Sequence, residues 1–280
     1  MSSPSQFAIM LILGAALLHA LWNAVVKGSV DRAITIGLIA IGNALFGIVL
    51  ALFVEPPGPE SYFYIALTIA VHLLYFIFLI AAYRLGDFSL VYPIARGIAP
   101  FLVACGGMFF VREYLSGFAW MGLMLISSAI SILVLAKGKV PRDPKAIAAA
   151  LLTGCCIASY TTVDGLVVRA SGSPLGYIGW SFGLQIFLGI GFLIYRREYL
   201  VELPRSAYIA GITGGLISGL AYALAIYAMS LTTLSAVSAI RESSVIIASL
   251  IGAIWFGERP WKPRLFAAGL VAIGVFLLAQ

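Results

Sequence analysis

The chain has 280 residues, 17 of them Lys or Arg and 11 Asp or Glu, so only 10 % are charged while 62 % are hydrophobic. Against the roughly 25 % charge and 45–50 % apolar content of soluble domains, these figures and a mean hydropathy of +1.08 exclude a soluble globule, a disordered chain and a nucleic-acid binder. The net charge of +6 then reads as basic loops lying against an anionic leaflet.

A membrane-spanning helix needs about 20 mostly apolar residues. Ten such stretches follow one another: 6–26, 33–54, 61–83, 88–110, 117–136, 146–168, 174–195, 208–230, 234–256 and 264–280. They use up most of the chain and leave no room for a soluble domain. They also run continuously, unlike the roughly ten-residue alternating segments of a transmembrane barrel. Residues 1–5 lack Lys and Arg, and the first run is longer than a signal-peptide core, so it is expected to span rather than be removed. The expected fold is an all-α polytopic membrane protein with ten transmembrane helices.

Few ionisable residues lie inside these stretches: His19, His72, Arg96, Asp164, Arg241 and Glu242. An Arg or Asp at a helix centre costs about 2.5–3.5 kcal/mol on insertion scales and normally faces a bundle interior or a watery cavity. Each is therefore a candidate site residue. In the first stretch His19 and Asn23 share a helical face, with Trp22 beside them; in the third, His72 has Tyr75 and Phe76 three and four residues on. In the fourth, Tyr92 lies one turn before Arg96, and Pro93 and Pro100 each remove a backbone donor and bend the helix. Carbonyls released there suit a cavity wall. Arg96 suits a carboxylate bidentately; the competing reading pairs it with Asp164 or Glu242, or has it cap carbonyls of a kinked helix.

In the sixth stretch Asp164 lies four residues after Tyr160, and Arg169 closes the helix. Asp164 is expected either to take a substrate amine or to pair with Arg169. Trp180 and Tyr222 are aromatic cavity candidates from the seventh and eighth. In the ninth, Arg241 and Glu242 project about 100° apart, and Ser238 shares a face with both. Glu242 is read as the partner of an ammonium or a proton, or the pair as a buried link between the fourth and ninth helices. Cys105, Cys155 and Cys156 form no CxxC and read as structural thiols. No metal cluster and no cofactor are expected, and without a GxxxxGK[ST] loop no ATP-driven mechanism is indicated.

The longest basic connector, 137–145, leaves five stretches on either side. The expected organisation is a first five-helix repeat (1–136), a basic cytoplasmic linker (137–145) and a second five-helix repeat (146–280). Arg96 and Arg241 are 145 residues apart, as are Glu113 and Glu258, and Gly107 and Gly252. An odd number of helices per repeat sets the copies in opposite orientations, giving a 5+5 inverted-topology repeat of the kind that encloses midplane sites in secondary carriers. With the N-terminus outside, the cytoplasmic connectors hold thirteen Lys or Arg against only Arg112 and Arg169 opposite. The positive-inside bias then puts both termini on the non-cytoplasmic side.

The segment His19-Ala-Leu-Trp-Asn-Ala-Val-Val-Lys27 resembles the first helix of the EamA-type carriers of the drug/metabolite transporter superfamily. Leu90-Val-Tyr-Pro-Ile-Ala-Arg-Gly-Ile-Ala-Pro100, Tyr160-Thr-Thr-Val-Asp-Gly165 and the turns at Glu113 and Glu258 resemble it too, so the likeness extends over the whole chain. Within the superfamily the chain is most similar to the bacterial aromatic amino-acid exporters (YddG-like). That resemblance implies a bacterial inner-membrane secondary transporter exporting small metabolites, chiefly aromatic and other neutral amino acids, by alternating access through a central cavity. The small four-helix members carry a carboxylate in their first helix where this chain has His19, which argues against carrying over their proton exchange.

A zwitterionic amino acid needs a cation for its carboxylate, an acceptor for its ammonium and apolar surface for its side chain. The candidate binding set is therefore His19, Asn23, His72, Tyr92, Arg96, Tyr160, Asp164, Trp180, Tyr222, Ser238, Arg241 and Glu242. A multidrug or nucleotide-sugar transporter is the alternative, although a nucleotide sugar asks for more positive charge than Arg96 and Arg241 supply. An intramembrane enzyme is more remote, because no motif links Ser243, Ser244 and His72 into a nucleophile and base. The expected partners are the small-molecule substrate and membrane lipid, with the chain acting as a monomer. Arg96→Ala is expected to lower transport with the fold intact.

Overall fold

The computed structural model describes residues 5–27, 32–85, 88–135, 143–200, 202–244, 246–247 and 262–278. The described residues form α1 (Gln6–Lys27), α2 (Arg32–Ala51), α3 (Ser61–Leu85), α4 (Phe88–Gly106) with a π-helical turn (Gly107–Val111), α5 (Gly117–Leu135) and α6 (Pro144–Ala170). They continue as α7 (Pro174–Leu184), α8 (Ile186–Tyr195), a short α9 (Arg197–Leu200), α10 (Arg205–Met229), α11 (Leu234–Arg241) and α12 (Lys262–Leu278), with no strand among them. Among the described residues, six helical stretches are long and apolar enough to cross a membrane: Ile34–Ala51, Ser61–Ala82, Ile94–Val111, Pro144–Ala170, Pro174–Tyr195 and Arg205–Met229. Gln6–Trp22, Gly117–Ile132 and Phe266–Leu278 are shorter apolar helices. Most of the 137–145 linker and the Glu258 turn lie outside the described residues.

Local chemistry sets several of the boundaries. Asp143 caps α6 through the Lys145 N–H (2.8 Å) ahead of Pro144, and Ser173 caps α7 through the Gly176 N–H (3.2 Å) ahead of Pro174. In both, the proline occupies a first-turn position whose donor has no helical partner anyway. Thr233 caps α11 through the Ala236 N–H (3.3 Å). The π turn ends at Arg112, a left-handed residue (φ 57°) that re-aims the chain and lets the Glu113 N–H reach Gly107 O (2.9 Å). The seventh expected span is not one continuous helix. It breaks at Gln185, whose N–H turns back to Phe182 O (3.0 Å) while its buried side-chain oxygen takes the Asn43 amide (3.2 Å).

Small residues allow the closest crossings, as in other membrane bundles. A Cβ on Gly215 of α10 would lie 2.7 Å from the Gly42 Cα of α2, and one on Gly274 of α12 would lie 2.7 Å from Gly122 O of α5. Elsewhere α1 packs along α10, α3 along α6, and α4 against α5 and α6. Large apolar side chains such as Phe7, Phe53, Phe63, Phe109 and Phe276 are left on the outside, the surface a bilayer would cover.

Candidate functional site

Helices α1, α2, α3, α4, α6, α10 and α11 enclose a cavity of about 110 Å³, with Gln185 between α7 and α8 adding to its wall. Its walls mix aromatic and polar groups. Trp22, Tyr75, Phe76, Tyr160 and Tyr222 supply the rings, and His19, His72, Asn43, Thr153, Gln185 and Ser218 the uncharged or titratable polar groups. Two guanidinium groups complete it, Arg96 from α4 and Arg241 from the end of α11. No Asp or Glu is among the described residues that line it.

The aromatic wall is built around His72. Its ring stacks on Tyr160 (centroids 4.1 Å apart), and Tyr160 meets Tyr75 and Tyr222 edge-on at 5.8 Å each. His72 Nδ1 lies 2.8 Å from the Thr68 carbonyl, which can only accept, so this hydrogen bond assigns a ring proton to Nδ1. His19 is oriented by the Trp22 indole, which donates to its Nδ1 at 3.1 Å.

The buried charges divide between two clusters. Glu242 is fully buried and ion-paired with Arg96, Nε to Oε2 at 3.0 Å, while an Arg96 Nη2 lies 3.4 Å from Ser244 Oγ. Arg241, next in sequence to Glu242, points elsewhere. It is 2 % exposed, its Cζ stands 5.6 Å from the Tyr222 ring centre, and its Nε and Nη2 have no hydrogen-bond partner among the described residues. Asp164 is the centre of the second cluster. Thr68 and Tyr177 donate to Oδ1 at 2.8 and 2.6 Å, and Tyr222 donates to Oδ2 at 2.6 Å.

The structure thus brings six of the twelve sequence candidates to the cavity: His19, His72, Arg96, Tyr160, Tyr222 and Arg241. Asp164, Glu242 and Ser238 are buried behind its wall. Asp164 does not pair with Arg169, as the sequence had suggested; the hydroxyls of α3, α7 and α10 reach it instead. Arg169 pairs with Glu113 at 2.7 Å and donates to the carbonyls of Met229 (2.7 Å) and Thr232 (2.6 Å). Trp180 is 39 % exposed and lies with Tyr62, Leu184 and Phe187 along an outer groove between α3 and α7–α8, away from the cavity. The side chains of Asn23 and Tyr92 lie outside the described residues.

Sequence reasoning missed the polar lining residues Asn43, Thr153, Gln185 and Ser218. Each is an uncharged polar residue in an apolar run, a signal that attention to ionisable groups passes over.

Comparison with known proteins gives three findings. Residues 144–280 match the model of the EamA-like transporter family. An uncharacterized protein of Pseudomonas aeruginosa is 30 % identical over 163 residues, 58 % of this chain, and the match spans about half (54 %) of that relative. A crystal structure of another protein superposes with a TM-score of 0.78 at 16 % identity, covering 97 % of this chain and 96 % of the other, so the two share a fold. It is the match over residues 144–280 that makes the second half of the chain similar to the EamA-like transporter family.

Proposed function

We propose that the protein is a secondary transporter that exports small amphipathic metabolites, chiefly aromatic and other neutral amino acids, by alternating access through the central cavity. The single observation that carries this reading is Arg241. Its enclosed guanidinium has two nitrogens without a hydrogen-bond partner among the described residues, on the wall of an aromatic-lined cavity within an apolar helical bundle. A buried cation in a membrane is expensive, and an incoming carboxylate would supply the missing acceptor.

Size favours a small solute: about 110 Å³ is well below the roughly 300–1,000 Å³ of pockets that hold drug-sized ligands. This counts against a nucleotide sugar or a bulky drug. The packing is also compatible with a 5+5 inverted repeat. Such a repeat interchanges α1 with α6 and α3 with α10, so it converts the α1–α10 contact into the α6–α3 contact, and both are present. With the positive-inside bias, the reading adds a bacterial inner-membrane location with both termini periplasmic.

The test is counterflow in liposomes, with purified protein and vesicles preloaded with unlabelled L-phenylalanine or L-tryptophan. External labelled amino acid is expected to accumulate transiently, with little competition from nucleotide sugars or lipophilic cations. Absence of counterflow for both amino acids, with exchange of one of the other two classes, would overturn the reading.

A further inference from the structure

The cavity is charged asymmetrically, and this bears on the part of an amino acid it recognises. Both carboxylates that the sequence offered as ammonium partners are already engaged. Glu242 is fully buried against Arg96 at 3.0 Å. Both oxygens of Asp164 accept hydroxyl hydrogens at 2.6–2.8 Å, and Tyr222, one of those donors, stands between Asp164 and the cavity. Of the two arginines on the wall, Arg96 holds the Glu242 carboxylate at 3.0 Å, whereas Nε and Nη2 of Arg241 have no hydrogen-bond partner among the described residues.

From this we infer that the site selects a carboxylate attached to an apolar, chiefly aromatic, group, and that the α-amino group is not required. Substrates would then include aryl-alkanoic acids lacking the amine. The inference deepens the proposed function and rests on its assignment of the cavity as the binding site.

Two physical terms support it. A carboxylate on Arg241 gains charge-assisted hydrogen bonds in a site screened from water, where such bonds are strongest. An ammonium would meet a wall with net positive charge and only neutral acceptors, such as Asn43, Ser218 and Gln185. Tyrosine faces give it some cation–π attraction, yet Tyr222 is already covered by Arg241. Losing the amine therefore gives up little, whereas losing the carboxylate leaves two buried guanidinium nitrogens with no acceptor among the described residues.

The experiment is isothermal titration of the purified full chain in detergent with L-phenylalanine, 3-phenylpropanoate (no amine) and phenethylamine (no carboxylate). We expect phenylpropanoate to bind within about fivefold of phenylalanine, and phenethylamine about ten- to a hundredfold more weakly, the factor charge-assisted hydrogen bonds of this kind represent. Arg241→Gln is expected to abolish binding of both acids, and Arg241→Lys to restore part of it. The wild-type ligand series decides the matter alone if Arg241→Gln fails to fold. Phenethylamine binding as tightly as phenylalanine, or phenylpropanoate failing to bind where phenylalanine does, would overturn the inference and leave the amino-acid reading standing. Phenylpropanoate binding without any phenylalanine counterflow would leave the inference standing and remove the amino-acid reading.

Discussion

Charge was the most legible feature at the scale of single residues, because a buried charge in an apolar helix stands out in any sequence. What each charge touches was not legible. Asp164 collects hydroxyls from Thr68, Tyr177 and Tyr222, on three other helices, and no spacing along the chain announces such a meeting. The same holds for Arg96 and Glu242, which are paired across α4 and the C-terminal cap of α11. This pairing revises the expectation that Arg96→Ala leaves the fold intact. Removing one partner of a buried ion pair strands the other, at a cost of about 3–5 kcal/mol, whereas replacing both with apolar residues is often neutral. Arg96→Ala should therefore lower the unfolding temperature in detergent markedly, and Arg96→Met with Glu242→Leu should recover most of the loss. A double variant no more stable than the single one would show that the pair is not what holds these helices. Transport measured on Arg96→Ala alone would then confuse stability with binding, which makes Arg241 the cleaner residue to probe.

For whole elements, apolar length located most of the helices, and close crossings followed from small residues whose partners the sequence could not name. Gly42 and Gly215 are 173 positions apart in numbering, yet they set the distance between α2 and α10. The break between α7 and α8 escaped the sequence because Gln185 is one of few polar residues in a largely apolar run, and its partner Asn43 lies 142 positions away along the chain. These crossings make contrasting glycines predictable. Gly215→Leu puts a side chain where even a Cβ would sit 2.7 Å from the Gly42 Cα, so α2 and α10 must separate and the yield of folded, monodisperse protein should collapse. Gly269 of α12 has nothing within 4 Å of an added Cβ. Gly269→Ala should leave the fold unchanged and stabilise it by roughly 0.5–1 kcal/mol through helix propensity. Thermal unfolding of the two variants side by side checks both; equal melting temperatures would refute the crossing as a constraint.

The whole molecule raises the question of which way the cavity opens. On the proposed topology its lining residues Trp22, Ile36 and Leu79 lie towards the cytoplasmic ends of α1, α2 and α3. The opposite ends are tied together. Glu113, just past the π turn, pairs with Arg169 at the end of α6 and accepts the Leu234 N–H (2.9 Å) at the start of α11. Arg169 in turn holds the Met229 and Thr232 carbonyls of the α10–α11 turn. Arg169 was one of the two basic residues that the orientation count assigned to the non-cytoplasmic side, and here it serves as a tie between helix ends. If the tie keeps that end shut, loosening it must shift the population towards states open on the periplasmic side. Glu113→Gln is the suitable change, since its amide oxygen still accepts from Leu234 while the ion pair is lost. In a background lacking Cys105, Cys155 and Cys156, a cysteine at Ser218 reports exposure of the cavity. A membrane-impermeant maleimide added from the periplasmic side should label it about tenfold faster with Glu113→Gln, the factor that ~1.4 kcal/mol represents. Labelling from the cytoplasmic side, in inverted vesicles, should slow. Unchanged rates on both faces would mean that Glu113 and Arg169 brace the bundle without governing its opening.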